Sequence, residues 1–196
     1  IWDSVHTARK AYLEVEAPCS PVQMEYAAHK KENALLEAIA AQVRACRALC
    51  KDTGFTALDA TRAERGFLCK AIQTAIAAGA CRITLFDSAG LLLPEEFAAF
   101  VEEARRESEA PEQIAWAVQI SDAMHMACAS AVAALSRGAD VLVCSALGGQ
   151  SPRVDELADF LRLRGAGMHL QSGLRTTELR RILGQLQWLT GKRRGD

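Results

Sequence analysis

Short apolar runs alternate with longer amphipathic stretches along this chain. The runs are Ala11–Ala17, Gly54–Leu58, Cys81–Phe86, Ile114–Ile120 and Asp140–Ser145, each short enough to be one buried strand. Between them, apolar residues three and four apart predict helices over about Met24–Lys51, Thr61–Ala78, Pro94–Glu109, Ala123–Arg137 and Arg153–Arg164. Strict alternation of this kind means βαβ units and a parallel sheet. Residues Ile1–Lys10 read as the end of a helix leading into the first strand. After about Leu163 the alternation stops: Arg164–Gly173 reads as a loop, and Thr176–Thr190 as a last helix capped by Thr176 or Thr177. The domain reading is therefore 1–163 for the repeated units and 164–196 for a following loop and helix, with no linker dividing the chain.

The punctuation agrees. Ala78-Gly79-Ala80 and Arg137-Gly138-Ala139 each put a glycine after a last helical turn and enter a strand at once, as left-handed helix ends allow. Pro94-Glu95-Glu96 opens a helix with proline in the first turn and two carboxylates at the positive end of its dipole.

Composition narrows the function classes. Of 196 residues, 50% are hydrophobic, 24% charged and 6% aromatic, an ordinary globular mixture that argues against disorder and a membrane span. A net charge of −1 at pH 7 removes the electrostatic case for nucleic acid or an anionic membrane surface. The basic cluster Lys192-Arg193-Arg194 reads as a solvated tail. The opening Ile1-Trp2-Asp3-Ser4 has neither part of a signal peptide, and the seven cysteines are odd in number and scattered. Reduced thiols used as small hydrophobes, and hence a cytoplasmic location, are expected. Cys46 and Cys50 lie one helical turn apart, but no second pair at zinc spacing accompanies them.

Three segments in order resemble the family of 2-isopropylmalate, homocitrate and citramalate synthases. Ser20-Pro21-Val22-Gln23-Met24-Glu25 is similar to the family's Ser-Pro-x-His-Met-Glu after the fourth barrel strand. Leu58-Asp59-Ala60-Thr61-Arg62 is similar to Glu-Asp-Ala-Thr-Arg after the fifth. Phe86-Asp87-Ser88-Ala89-Gly90, followed by Pro94-Glu95-Glu96-Phe97, resembles Pro-Asp-Thr-x-Gly and Pro-Glu-Glu-Phe around the sixth. The resemblance implies a TIM barrel, of which this chain would supply about five of eight (β/α) units plus a C-terminal helix. It also implies acyl transfer from acetyl-CoA to a 2-oxo acid by Claisen condensation, with a divalent metal polarising the acceptor carbonyl.

Several positions depart from the family. Its metal-binding His-x-His on the seventh strand is matched by Gln119-Ile120-Ser121, an amide and a hydroxyl where a transition metal would want imidazoles. No metal ligands are therefore expected in this chain, and its cofactors stay open. His125 lies nearby and is expected within the following helix. Leu58 replaces the family's Glu, and Glu14 replaces an inward His on the fourth strand. Glu16 follows two residues on, so a strand's period of two puts both carboxylates on one face, either as a new cation or amine site or as a solvated face. After the eighth strand the family's Asn-Gly-x-Gly-Glu-Arg has become Leu147-Gly148-Gly149-Gln150-Ser151.

The candidate catalytic residues are thus Glu14, Glu16, Asp59, Arg62, Asp87 and Ser88. Thr56, Gln119, Ser121, Ser145, Gly148 and Gly149 are the candidates for substrate contact. Each carries a plainer alternative: Asp59 and Arg62 as a helix-start pair, Asp87 and Ser88 as a tight βα turn, Gly148-Gly149 as a simple turn rather than a phosphate cradle. Five units of eight would leave two unpaired sheet edges. Closure is expected from a preceding portion of polypeptide or a partner chain, including a second copy, with independent reclosure as the alternative. Three functions follow: a divergent acyl-CoA:2-oxo acid acyltransferase, a catalytically silent binding or assembly subunit, or a metal-free lyase or aldolase using Glu14 or Glu16 as base. No lysine stands at a strand end to form a Schiff base.

Overall fold

The computed structural model describes residues 2–148 and 151–191. Five strands form one sheet in the order β1-β2-β3-β4-β5: β1 Leu13–Pro18, β2 Thr53–Leu58, β3 Arg82–Asp87, β4 Ala115–Ile120 and β5 Val141–Leu142. Every pairing is parallel and every strand lies beside its sequence neighbour. No strand order reverses, so this is a run of barrel-type (β/α) units and not a doubly wound sheet. Among the described residues no helix is long and apolar enough to cross a membrane.

The helices are α1 Trp2–Val5, α2 Pro21–Gln23, α3 Glu32–Leu49, α4 Arg65–Ala77, α5 Pro94–Glu107, α6 Ala127–Leu135, α7 Val154–Arg164 and α8 Thr176–Thr190. One face of the sheet meets α3 to α6. Val15 and Ala17 of β1, Phe55 and Ala57 of β2, Ile83 and Leu85 of β3, and Trp116 and Val118 of β4 are all buried, in one core with Ile39 and Val43 of α3, Ile72 of α4 and Val101 of α5. The opposite face of β1 carries Glu14 and Glu16 and is exposed.

The helix boundaries differ from the periodicity in four places. The stretch Met24–Lys51 is broken: α2 is capped by Ser20 Oγ accepting from the Gln23 N–H at 3.3 Å, a π turn follows over Met24–Ala28, and His29 turns left-handed at φ 49° before α3 begins. Apolar spacing continues across the break, with Met24, Leu35 and Ile39 all buried, so side-chain periodicity gives no sign of it. The Thr61–Ala78 stretch starts instead with a 3-10 turn at Ala60–Arg62 and then α4. In the Ala123–Arg137 stretch, α6 begins only at Ala127, whose N–H is taken by Asp122 Oδ1 at 3.1 Å. His125 is thus not helical; it sits left-handed at φ 56° in the preceding turn. Finally, α8 starts at Thr176, but its cap is Arg175 and no threonine hydroxyl caps it.

The run Asp140–Ser145 pairs only at Val141–Leu142. Its end is drawn into a turn, where Ser145 bridges to Arg153. The two glycine junctions are as expected: Gly79 and Gly138 have φ of 109° and 99°, which only glycine adopts without strain. The α5 start is also as expected, the Glu96 carboxylate accepting from the Leu93 N–H at 2.9 Å.

Candidate functional site

Alternation along the strands decides which residues can share a pocket. On β1 the period of two points Glu14 and Glu16 away from the helices. The same register aligns Glu16 with Thr56 and Thr56 with Thr84, so one face carries a band of polar side chains. Both threonine hydroxyls donate to Glu14 Oε1, Thr56 at 2.6 Å and Thr84 at 2.7 Å. Glu14 is therefore anchored, whereas Glu16 makes no hydrogen bond or ion pair among the described residues.

At the C-terminal ends of the strands this face opens into a pocket of about 380 Å³. Glu16, Ser88, Gln119 and Ser121 line it together with Gln23 from α2, and Leu58 and Phe86 supply apolar wall. Four of the sequence candidates thus converge. Gln23, Leu58 and Phe86 were missed as lining residues, although the same alternation that aims Glu16 inward would have found the last two.

Asp59 and Asp87 end on the other side of the sheet. Leu58 and Phe86 face the pocket, so their successors turn toward the helix layer and are buried to 0% and 1% exposure. Asp59 sits at φ 58°, a left-handed conformation that aspartate tolerates better than most, and its Oδ1 accepts from Arg62 Nε at 2.8 Å. The expected pairing of Asp59 with Arg62 is present, and the Asp59 carboxylate raises the Arg62 pKa. Asp87 Oδ1 accepts from Thr61 Oγ1 at 2.7 Å and from the Gly90 N–H at 3.1 Å. Their second oxygens, Asp59 Oδ2 and Asp87 Oδ2, are buried with no hydrogen-bond partner. Ser88 joins this network to the pocket: its Oγ accepts from the Asp59 N–H at 3.1 Å, which leaves its own proton to donate elsewhere.

The remaining candidates lie apart. Ser145 Oγ takes the Gly148 N–H at 2.6 Å and donates to the Gly148 carbonyl at 2.8 Å. That amide is spent on closing a turn and is not free to cradle a phosphate; Gly149 lies outside the described residues, as does the basic cluster at 192–194. His125 is 92% exposed, with Nδ1 3.8 Å from Asp122 Oδ2. Among the described residues no three of His, Cys, Asp or Glu converge as a metal site would require. Cys19, buried beneath the Asp59 loop, has its thiol pKa pushed up to about 12, first by burial and then by the Asp59 charge, so it is no nucleophile. At the opposite end of the strands the Arg82 guanidinium stacks 4.4 Å over the Tyr12 ring, and burial, then the Glu14 charge, push the Tyr12 hydroxyl pKa up.

A family model described as HMGL-like matches residues 3–183. Methylthioalkylmalate synthase 1-1 of Eutrema japonicum is 30% identical over 171 residues, covering 84% of this chain and 33% of its own length. The 2-isopropylmalate synthase of Pelotomaculum thermopropionicum is 28% identical over 195 residues, 97% of this chain and 38% of its own. The chain thus spans about a third of the length of these relatives. In structure it is similar to the hydroxymethylglutaryl-CoA lyase of Pseudomonas aeruginosa, with TM-score 0.78, 16% identity and coverage of 93% of this chain and 64% of that one. The HMG-CoA lyase of Brucella melitensis gives 0.79 at 15% identity, covering 100% and 71%. At such identities the likeness speaks for the fold, a TIM barrel.

Proposed function

Because the chain belongs to the HMGL-like family, we propose that it forms the substrate-binding strand ends of a divergent acyl-CoA:2-oxo acid acyltransferase. The observation that carries this reading is the pocket where Glu16, Ser88, Gln119 and Ser121 meet, since TIM-barrel chemistry is performed at the C-terminal ends of the strands. Glu16 is the base that takes a proton from the methyl carbon of acetyl-CoA. That carbon then bonds to the acceptor carbonyl carbon while the Ser88 proton and the Gln119 amide donate to the carbonyl oxygen, where negative charge develops. Water hydrolyses the thioester to release the CoA thiol. Asp59, Asp87 and Thr61 are positioning residues that hold the two loops and aim Ser88. Arg62 is tied to Asp59 on the same side. Further β/α units, on the same polypeptide or a partner chain, would cover the open face and the free edges of β1 and β5.

The synthases this chain resembles imply a divalent metal. The donor set does not fit one: Gln119 and Ser121 occupy the matching place, and neither replaces an imidazole on a transition metal. The proposed step uses none. Two observations favour other readings. Leu58 in place of a carboxylate favours a silent binding subunit. The unpartnered Glu16 above the anchored Glu14 favours a metal-free lyase or aldolase with a carboxylate base.

The test is release of CoA thiol from acetyl-CoA with a panel of 2-oxo acids, in EDTA and then with added Mn2+. Turnover in EDTA that falls at least tenfold in Ser88→Ala supports the proposal, and turnover that appears only with Mn2+ refutes its metal-free step. No thiol release under either condition leaves the silent reading. Cleavage of a 3-hydroxy acid without CoA, abolished by Glu16→Gln, would establish the lyase.

A further inference from the structure

The strand-end pocket has two polar walls separated by an apolar strip. Leu58 and Phe86 make the strip: strand register places Leu58 between Pro18 and Phe86, and Phe86 between Leu58 and Gln119. Ser88, Gln119 and Ser121 stand on the β3 and β4 side, and Glu16 and Gln23 on the β1 side. Parallel strands lie about 4.8 Å apart, so the walls are far enough apart for two reactants, one on each. Gln23 is fixed by its backbone and not by its side chain. Its N–H donates to Ser20 Oγ at 3.3 Å, and Ser20 before it and Met24 after it are both buried. The Gln23 side-chain amide makes no hydrogen bond among the described residues, so both of its ends stay available to a ligand.

We propose that Gln23 is a further catalytic residue, donating its side-chain N–H to the thioester carbonyl oxygen of acetyl-CoA. The inference rests on the acyltransferase reading and deepens it. With Ser88 and Gln119 on the acceptor carbonyl, the acetyl group is left to the β1 wall, beside Glu16. When Glu16 takes a methyl proton, the C–H electron pair forms a carbon–carbon double bond and the carbonyl pair moves onto oxygen. That enolate oxygen carries the negative charge and needs a donor already in place. Among the described lining residues Gln23 is the one side-chain N–H donor on this wall. As the new carbon–carbon bond forms, the charge passes to the acceptor oxygen, which takes the proton back from Glu16, and the thioester carbonyl is restored. Attack of water then returns the charge to the same thioester oxygen. Collapse expels the CoA thiolate, which takes the proton that the water gives up. Gln23 thus serves the first and last steps, and Ser88 with Gln119 the middle one.

Exchange of the acetyl-CoA methyl protons for deuterium in D2O reads the first step without the other two. Mass spectrometry of acetyl-CoA follows it in EDTA, with and without 2-oxo-3-methylbutanoate. Gln23→Leu should lower the exchange rate about 100-fold, while KM for acetyl-CoA changes less than about threefold, because the bond strengthens only as charge develops. Gln23→His keeps an N–H donor and should retain at least about a tenth of the rate. Should Gln23→Leu fail to fold, Gln23→Glu keeps the shape, removes the donor and is expected to lose the rate equally. Exchange in these donor-less variants within about threefold of the unmodified chain overturns the proposal and leaves the acyltransferase reading standing, as does a loss confined to KM. No exchange by the unmodified chain under either condition removes Glu16 as base, and both readings fall together.

Discussion

Alanine at position 90 perturbs the contact that locks the β3 and β4 loops around the pocket. Gly90 has φ 63°, and a Cβ there would lie 2.4 Å from the Ser121 carbonyl oxygen and 3.2 Å from its carbon. The left-handed conformation by itself costs a non-glycine residue about 1 kcal/mol. Relief of the overlap needs roughly 1 Å of movement between two backbones. Ser121 cannot retreat freely, since its N–H donates to the Asp87 carbonyl at 2.9 Å, and Gly90 cannot either, since its own N–H holds Asp87 Oδ1. Losing one of these bonds adds about 1–2 kcal/mol, the second more because the buried Asp87 carboxylate then keeps only its Thr61 donor. Gly90→Ala should therefore destabilise by about 2–4 kcal/mol, read as a lower urea midpoint with unchanged slope, and a Tm lower by roughly 5–15 °C. Gly184→Ala is the control. It lies inside α8 with nothing within 4 Å of its would-be Cβ, so the same substitution should leave stability unchanged or raise it by up to about 1 kcal/mol. A Gly90→Ala protein within about 0.5 kcal/mol of wild type, a difference typical of unremarkable surface changes, would refute the reasoning.

Other substitutions probe the polar groups singly. Thr61→Val removes the hydroxyl that Asp87 Oδ1 accepts at 2.7 Å and should cost about 1.5–3 kcal/mol by urea denaturation, the range for hydrogen bonds to charged groups. Cys19 imposes an alkaline limb on stability. Its folded pKa of about 12 exceeds the ordinary value of 9.0, so its contribution is complete below pH 9 and is lost as pH rises toward 12, because only the unfolded chain has released the proton. The loss approaches about 4 kcal/mol, and Cys19→Ala should flatten the fall in urea midpoint over that range whatever its effect at pH 7.

The five strands were legible because a parallel strand covered on one face by helices must be a short apolar run, and no other element of this chain produces one. The glycine junctions were legible for a local reason as well, since Gly79 and Gly138 end their helices in a conformation that other residues avoid. The break at His29 and the late start of α6 were not. Left-handed turns at His29 and His125 use histidines, which carry no such signal, and the apolar spacing runs on across the first of them. The shortening of β5 depends on Ser145 meeting Arg153 and Gly148, contacts made after the strand has ended.

For the site, the chain order of Ser20-Pro21, Asp59-Ala60-Thr61-Arg62 and Asp87-Ser88-Ala89-Gly90 identified the strand ends where the pocket lies, and alternation identified Glu14 and Glu16 as sharing a face. Those are local properties: each follows from backbone geometry within one element. Which residues meet across elements is not local. That Thr56 and Thr84 converge on one oxygen of Glu14, and that Thr61 reaches Asp87 from another unit, depends on the register of adjacent strands and the path of the loops between them. Tertiary structure therefore decided that Asp59 and Asp87 brace the loops from behind, while Glu16, Ser88, Gln119 and Ser121 face the pocket. A side chain's chemistry is written in the sequence, but its partners and the side of the sheet it serves exist only once strands from distant parts of the chain lie side by side.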